Sequence, residues 1–152
     1  MIAERLAELG IELPVVAAPA GAYVPAVVNG ALVFTAGQIP FVDGALPATG
    51  KVGDGLVSPE VAKDLARVCA LNALAAVADV LGSLDRVTQI VKLTGFVASA
   101  PGFNGQPGVI NGASEVLGEI FGEAGRHARS AVGVAELPLD APVEVELIVA
   151  FE

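Results

Sequence analysis

The alternation of apolar and polar positions predicts two main helices. The first begins at Ser58, a residue that can cap the first turn, continues through Pro59 at the first helical position, and ends at Gly82. Its second half, "ALNALAAVADVL", is apolar on nearly all sides, which indicates burial on more than one side. The second helix is predicted over residues 109–124, where apolar residues share one face and three glutamates follow i, i+4 spacing on another.

The remaining apolar runs predict five or six strands. "YVPAVVNGALVFTAGQIP" contains a hairpin signal at Asn29–Gly30, and Pro25 restricts its first strand to a sheet edge or a strand start. "VTQIVKLTGFVAS" predicts a long strand, and two final strands are predicted at Ala128–Val134 and Val143–Phe151. The order ββ(β)αβαββ predicts an α+β fold in which both helices pack on one face of a single mixed sheet.

At 152 residues the chain has the length of one domain. We predict a core over residues 22–152. The preceding residues 1–21 are predicted to form an N-terminal extension, consisting of a short helix in "AERLAELG" and a linker.

Side chains of a strand alternate between its two faces, which assigns faces in the last two strands. In the final strand Glu144 and Glu146 point away from the apolar face that belongs under the helices: Val143, Val145, Leu147 and Val149. In the preceding strand the parity of Val132 predicts that Arg129, Ala131 and Gly133 point away from the helices. If the two strands are neighbours, Arg129 and Glu144 share one surface.

Two interpretations of this charged surface follow from the residues. Arg129 beside small residues can bind a carboxylate through two hydrogen bonds, with Glu144 holding or polarising a water. Alternatively, Arg129 and Glu144 simply form a cross-strand ion pair, which contributes little when exposed.

Composition changes this picture in two ways. The chain is 54% apolar and only 16% charged, against a usual charged fraction of about a quarter, which favours an oligomer that hides apolar surface. The net charge of -9 opposes binding to nucleic acid. The single cysteine excludes an intrachain disulfide and favours a reducing, cytoplasmic location.

No membrane segment is expected. The stretch from Leu13 to Val42 carries no charge, but its four prolines prevent a continuous helix. The first ten residues have charges spaced through them and do not resemble a secretion signal. We therefore predict a soluble protein that is not exported.

The run "ARSAVGVAELPLDAPVEVELIVA" resembles the C-terminal signature of the RidA/YjgF family, in which an A-R-S segment leads through L-P to an alternating V-E-x-E strand. The stretches "LNALAAVADVLGSLDRVTQIVKLTGFV" and "VINGASEVLGEIFGEAGRHARSA" also occur in the family's order, so the resemblance covers about residues 22–150. It implies a chorismate-mutase-like fold and a homotrimer in which three sheets form a central barrel, with ligand clefts between subunits.

The resemblance also implies an activity. Archetypal members hydrolyse reactive enamines and imines, such as 2-aminoacrylate and 2-iminopropionate, to 2-keto acids and ammonia. These intermediates are made by pyridoxal-phosphate enzymes, and no metal or organic cofactor is implied for the hydrolysis itself.

Matching positions imply roles for individual residues. Arg129 corresponds to the arginine that binds the substrate carboxylate, and Glu144 to the glutamate that positions the attacking water or the leaving nitrogen. The remaining expected substrate-binding residues are Tyr23, Gly37, Asn111 and Ala131, the last through its backbone N–H.

This chain departs from the family pattern at several positions. Ala131 stands where archetypes often carry cysteine, Ser114 replaces a frequent aromatic residue, and the loop over residues 98–110 is longer than usual. His127, in "GRHAR", could act as an acid or base, but its preferred interpretation is a surface or interface residue, since no carboxylate or metal partner is evident in the sequence.

The departures keep a second function open, a trimeric module that binds or senses small keto acids without turnover. RNA cleavage, reported for some relatives, is disfavoured by the acidic charge and the lack of a basic groove.

Overall fold

A computed structural model describes all residues, 1–152. Its helices are α1 (Ile2–Glu8), α2 (Pro59–Leu81) and α3 (Gln106–Phe121). Its strands are β1 (Ala26–Asn29), β2 (Leu32–Thr35), β3 (Val87–Ala98), β4 (Ala128–Val134) and β5 (Val143–Phe151). The predicted bounds of the last two strands are confirmed.

The five strands form one mixed sheet in the order β1-β2-β5-β3-β4. All neighbours are antiparallel except β3 and β4, which are parallel. Helices α2 and α3 cover one face and bury the apolar side chains of β3 and β5 beneath them. The predicted α+β fold, with both main helices on one face of a single mixed sheet, is confirmed.

The second face of the sheet has no helix over it. Apolar side chains on this face remain accessible, including Val27, Phe34 and Val132, the last at 44% exposure. Lys92 and Glu146 lie among them and interrupt the apolar surface. A face of this kind is typical of a surface that another chain covers.

Helix α2 begins and ends as its sequence predicts. Ser58 Oγ accepts a hydrogen bond of 3.1 Å from the Val61 N–H, and Pro59 occupies the first turn. Gly82 closes the helix in the left-handed conformation that glycine adopts without strain. The second half of α2 is buried because β5, α3 and the loop after β2 surround it.

The hairpin signal is also confirmed. Asn29 pairs with Leu32, so Gly30 and Ala31 form the turn, with Gly30 at φ +61°. Pro25 precedes β1, which lies at the edge of the sheet, where its missing N–H costs no ladder hydrogen bond.

Helix α3 begins three residues before the predicted start at residue 109. Pro107 fits its first turn, and the Gln106 side chain donates to the Phe103 carbonyl at 2.8 Å, which secures the junction with the preceding loop. The α-helix ends at Phe121, and a 3-10 turn continues to Gly125.

Helices α2 and α3 approach closely because α3 has a glycine at the contact. A Cβ on Gly112 would lie 2.0 Å from the Lys63 carbonyl oxygen of α2. Exposed ion pairs Lys63–Glu115 and Arg67–Glu119 flank the contact at 3.2 and 3.1 Å.

Helix α1 packs on the same layer. Leu6 is buried in the core, and Arg5 Nε donates to the Glu119 carbonyl at 2.8 Å. The Ile2 N–H donates to Asp85 Oδ1 at 2.7 Å. None of the helices has the length and apolar character needed to cross a bilayer.

Because of this close contact, we expect glycine-to-alanine substitutions at two positions of α3 to change the free energy of unfolding in opposite directions. Gly112→Ala should lower the free energy of unfolding by about 2 kcal/mol or more, because the added methyl meets backbone. Gly118→Ala, where a Cβ meets nothing within 4 Å, should raise it by roughly 0.5–1 kcal/mol through helix propensity. Chemical denaturation measures both, and equal effects at the two positions would contradict the close contact.

Candidate active site

Arg129 lies on the sheet face that the helices cover. It pairs with Leu93 of β3, and Leu93 pairs in turn with Leu147 of β5. Directly paired residues point to the same face, and both leucines are buried under the helices. The prediction that Arg129 points away from the helices is therefore wrong.

The prediction fails because of where β4 sits. Strand β3 separates β4 from β5, so the last two strands are not neighbours. As an edge strand, β4 does not bury its valines under the helices, and Val132 points to the open face together with Phe96 and Glu144. The valines of β4 therefore do not mark the sheet face that the helices cover.

The Arg129 guanidinium is held by neutral oxygen atoms of α3. Its Nη1 donates to Asn111 Oδ1 at 2.8 Å and to Ser114 Oγ at 3.2 Å, and Nη2 approaches the Pro107 carbonyl at 3.4 Å. No carboxylate of the chain pairs with it. Of its five N–H donors, Nε–H and one on Nη2 have no acceptor, and these adjacent nitrogens match the two oxygens of a carboxylate.

Two of the predicted substrate-binding residues, Asn111 and Ala131, lie beside Arg129 in this half of the site. Asn111 and Ser114 are three residues apart on α3, so both face the strand. Ala131 lies two residues beyond Arg129 on the same face, paired with Gly95 and partly buried against the core. Ala131 stands where family archetypes often carry cysteine.

His127 belongs to this half as well, and it has partners that the sequence does not reveal. Its Nε2 lies 2.9 Å from Ser114 Oγ, and its Nδ1 lies 2.7 Å from the Gly125 carbonyl oxygen. Neither partner is a carboxylate or a metal ion, and the side chain is half-exposed, so the prediction of a surface or interface residue stays a prediction. Ser114 and His127 are 13 positions apart, and only the turn after α3 brings them together.

Glu144 forms a second half of the site on the opposite face of the sheet. It pairs with Phe96 near the start of β5 and borders a cavity of about 290 Å³. The cavity wall also includes Tyr23, Gly37 and Leu139, together with residues 17–20 of the N-terminal linker. Nothing in the sequence pattern indicated the contribution of Leu139 or of the linker.

Gly37 is required for Glu144 to occupy this position. A Cβ on Gly37 would lie 2.8 Å from the Glu144 carboxyl carbon, closer than such atoms approach in proteins. The neighbouring Gln38 pairs through its backbone with Val145, which fixes the loop against β5. Glycine therefore lets the carboxylate lie against the backbone.

Tyr23 is half-exposed at the edge of the same cavity. Its hydroxyl accepts a hydrogen bond of 3.1 Å from the Ala20 N–H. This contact ties Tyr23 to the linker segment that forms part of the wall.

The Glu144 carboxyl is half-buried and has no hydrogen-bond donor from the chain. Burial raises its pKa above the usual carboxyl value, and the nearby charge of Glu146 raises it further. Such a carboxyl stays protonated to a higher pH than an exposed glutamate does.

The two halves are far apart within one chain. Strand β3 lies between the strands of Arg129 and Glu144, and the β3 residues that pair with them, Leu93 and Phe96, are three positions apart. Two interstrand spacings and three residues along the strand place the two Cα atoms roughly 14 Å from each other. Because their side chains also point to opposite faces, they cannot bind one small molecule in the same chain. No group of three or more His, Cys, Asp or Glu side chains lies close enough to hold a metal ion.

Comparisons with known proteins agree with this architecture. Residues 3–151 match the family model described as "YjgF/chorismate_mutase-like, putative endoribonuclease". The chain is 46% identical to Protein TCP17 of Trypanosoma cruzi, over 97% of this chain and 92% of that protein. It is 32% identical to a 2-iminobutanoate/2-iminopropanoate deaminase of Dermatophagoides farinae, over 93% and 95% of the two chains.

A solved structure gives the same result for the fold. The protein Atu1372 of Agrobacterium tumefaciens, described as of unknown function, superimposes with a TM-score of 0.91 and is 45% identical. The match covers 99% of this chain and 92% of that one. The chain therefore belongs to the RidA/YjgF family and has its chorismate-mutase-like fold.

The raised pKa of Glu144 predicts a pH-dependent effect on stability. A carboxyl that binds its proton more tightly in the folded chain adds stability below the ordinary carboxyl pKa, and this stability is lost as pH rises through the raised value. Glu144→Gln should therefore raise Tm relative to the parent at pH 8, and the difference should shrink as pH falls to about 4.

Thermal unfolding followed by circular dichroism across this pH range measures the effect. Glu12→Gln, at an exposed position that forms no ion pair, is the matched control for the removal of one carboxylate, and the predicted effect is the Glu144→Gln difference in excess of it. A Glu144→Gln difference that stays constant with pH would contradict the environment described for this carboxyl.

Proposed function

We propose that this protein hydrolyses reactive 2-imino and enamine acids to 2-keto acids and ammonia. Water adds to the imine carbon, the carbon–nitrogen bond breaks, and the nitrogen leaves as ammonia after gaining protons. The deaminase name of the Dermatophagoides farinae relative, at 32% identity, supports this substrate class.

The observation that carries the proposal is that the Arg129 guanidinium is held in place but has no anionic partner. Three neutral oxygen atoms orient its guanidinium, yet no carboxylate neutralises it. A half-buried cation with two adjacent free N–H groups is suited to an anionic ligand with paired oxygens. The carboxylate common to all 2-imino acids meets this requirement.

Glu144 supports the chemical step. A half-buried carboxyl with a raised pKa can hold a water as carboxylate and return a proton to the leaving nitrogen as acid. An iminium carbon is already electrophilic, so orientation and charge neutralisation supply much of what the reaction needs.

The separation of the two halves supports sites built between chains. Arg129, Asn111 and Ala131 of one copy would face Tyr23, Gly37 and Glu144 of another. The uncovered, partly apolar sheet face supports association, and we propose a homotrimer in which these faces form a central barrel. The substrates would come from pyridoxal-phosphate enzymes, which release imines and enamines of amino acids.

A second candidate is a trimer that binds or senses small keto acids without turnover. Ala131 favours it, because no reactive side chain stands beside Arg129 at the position where archetypes often carry a thiol. Arg129 and Asn111 would serve this function equally well. RNA cleavage, which the family description includes, gains no support from a chain of net charge -9.

The proposed reaction is tested by adding the purified protein to a serine or threonine dehydratase or an L-amino-acid oxidase and following 2-keto acid release. The parent should accelerate release. Arg129→Ala should lower kcat/KM by about 100-fold or more, because removing one partner of a hydrogen-bonded charge pair that ligand binding buries costs roughly 2–5 kcal/mol. Arg126→Ala is the matched control, since Arg126 is 79% exposed and pairs only with Glu123.

The outcomes separate the two candidates. Acceleration that Arg129→Ala abolishes supports hydrolysis, and full activity of Arg129→Ala would contradict it. Saturable binding of pyruvate by calorimetry, without acceleration for any amino acid tried, would favour the sensor. Absence of both binding and acceleration would reject both.

A further inference from the structure

A directional hydrogen-bond chain runs from Arg129 to the turn after α3. The Gly125 carbonyl can only accept, so His127 Nδ1 carries the hydrogen in the 2.7 Å contact. In neutral imidazole Nε2 then accepts, and the Ser114 hydroxyl donates to it at 2.9 Å. The Ser114 oxygen keeps a lone pair for Arg129 Nη1–H at 3.2 Å. Every hydrogen bond between Arg129 and Gly125 in this series thus has a defined donor and acceptor.

The far end of this chain is fixed by packing. Gly125 is buried, and a Cβ there would lie 2.4 Å from the Leu117 carbonyl oxygen. The Gln89 side chain also donates to the carbonyl of Arg126, which holds the residue between Gly125 and His127. The imidazole therefore has a rigid acceptor behind it.

We propose that His127 is a positioning residue, which acts through Ser114 to hold the Arg129 guanidinium with its Nε and Nη2 edge free for a carboxylate. This inference rests on the proposed binding of a carboxylate at Arg129. With both Nη1 hydrogens used by Asn111 and Ser114, the guanidinium cannot rotate without breaking two bonds. His127 does not touch the reacting atoms.

Paired substitutions test the proposal. His127→Phe keeps a ring but removes the acceptor, and Ser114→Ala removes the link. Each should raise KM, and the Kd for pyruvate, by about 3–10-fold, the value of one neutral hydrogen bond, with kcat nearly unchanged. The double variant should lose no more than either single one, because both break the same chain. His127→Gln, whose amide oxygen can accept from Ser114, should restore most of the affinity.

Nuclear magnetic resonance tests the hydrogen-bond chain from Arg129 to His127 without any ligand. At pH 8 the imidazole of His127 should be the Nδ1–H tautomer, and the Arg129 Nε resonance should shift in His127→Phe and recover in His127→Gln. This readout separates the inference from the proposed function, since it holds even if no imine is hydrolysed.

Several results would overturn the proposal. These are an Nε2–H tautomer, an Arg129 resonance that ignores His127→Phe, and a loss confined to kcat in Ser114→Ala, which would indicate a part in the chemical step instead. Additive losses in the double variant would also contradict one continuous chain.

Discussion

The parallel pairing of β4 with β3 is the constraint on which the rest of the site depends. The pairing of Arg129 with Leu93 turns the arginine toward α3, where Asn111 and Ser114 hold its guanidinium. The same sheet order places Glu144 on the opposite face, against Gly37. A reversed or shifted register would carry Arg129 to the other face and separate it from every oxygen that now orients it.

Local signals in the sequence were sufficient for most of the fold. Ser58, Pro59 and Gly82 each act within one helical turn of their own position, so the bounds of α2 could be predicted. The valine face of β5 was equally clear, because a central strand under two helices buries every second residue. The family resemblance then selected the residues of the site.

What the sequence did not give was the placement of β4. An edge strand has weak burial periodicity, and Val132 points to the face that no helix covers, so the valines of β4 do not mark the helix side. The contact between Ser114 and His127 depends on the conformation of the turn after α3, and the linker that borders the Glu144 cavity follows α1, which packs on α3. These features arise from tertiary packing, which pattern and propensity do not encode locally.

The proposed site takes Arg129 from one copy of the chain and Glu144 from another. Differently tagged Arg129→Ala and Glu144→Gln chains can be coexpressed, and the oligomers carrying both tags, proposed to be trimers, isolated. Each variant alone should be inactive, but a mixed trimer retains one site with both residues and should show about one third of the parent's imine hydrolysis. Mixed trimers as inactive as the two variants alone would contradict a site shared between chains.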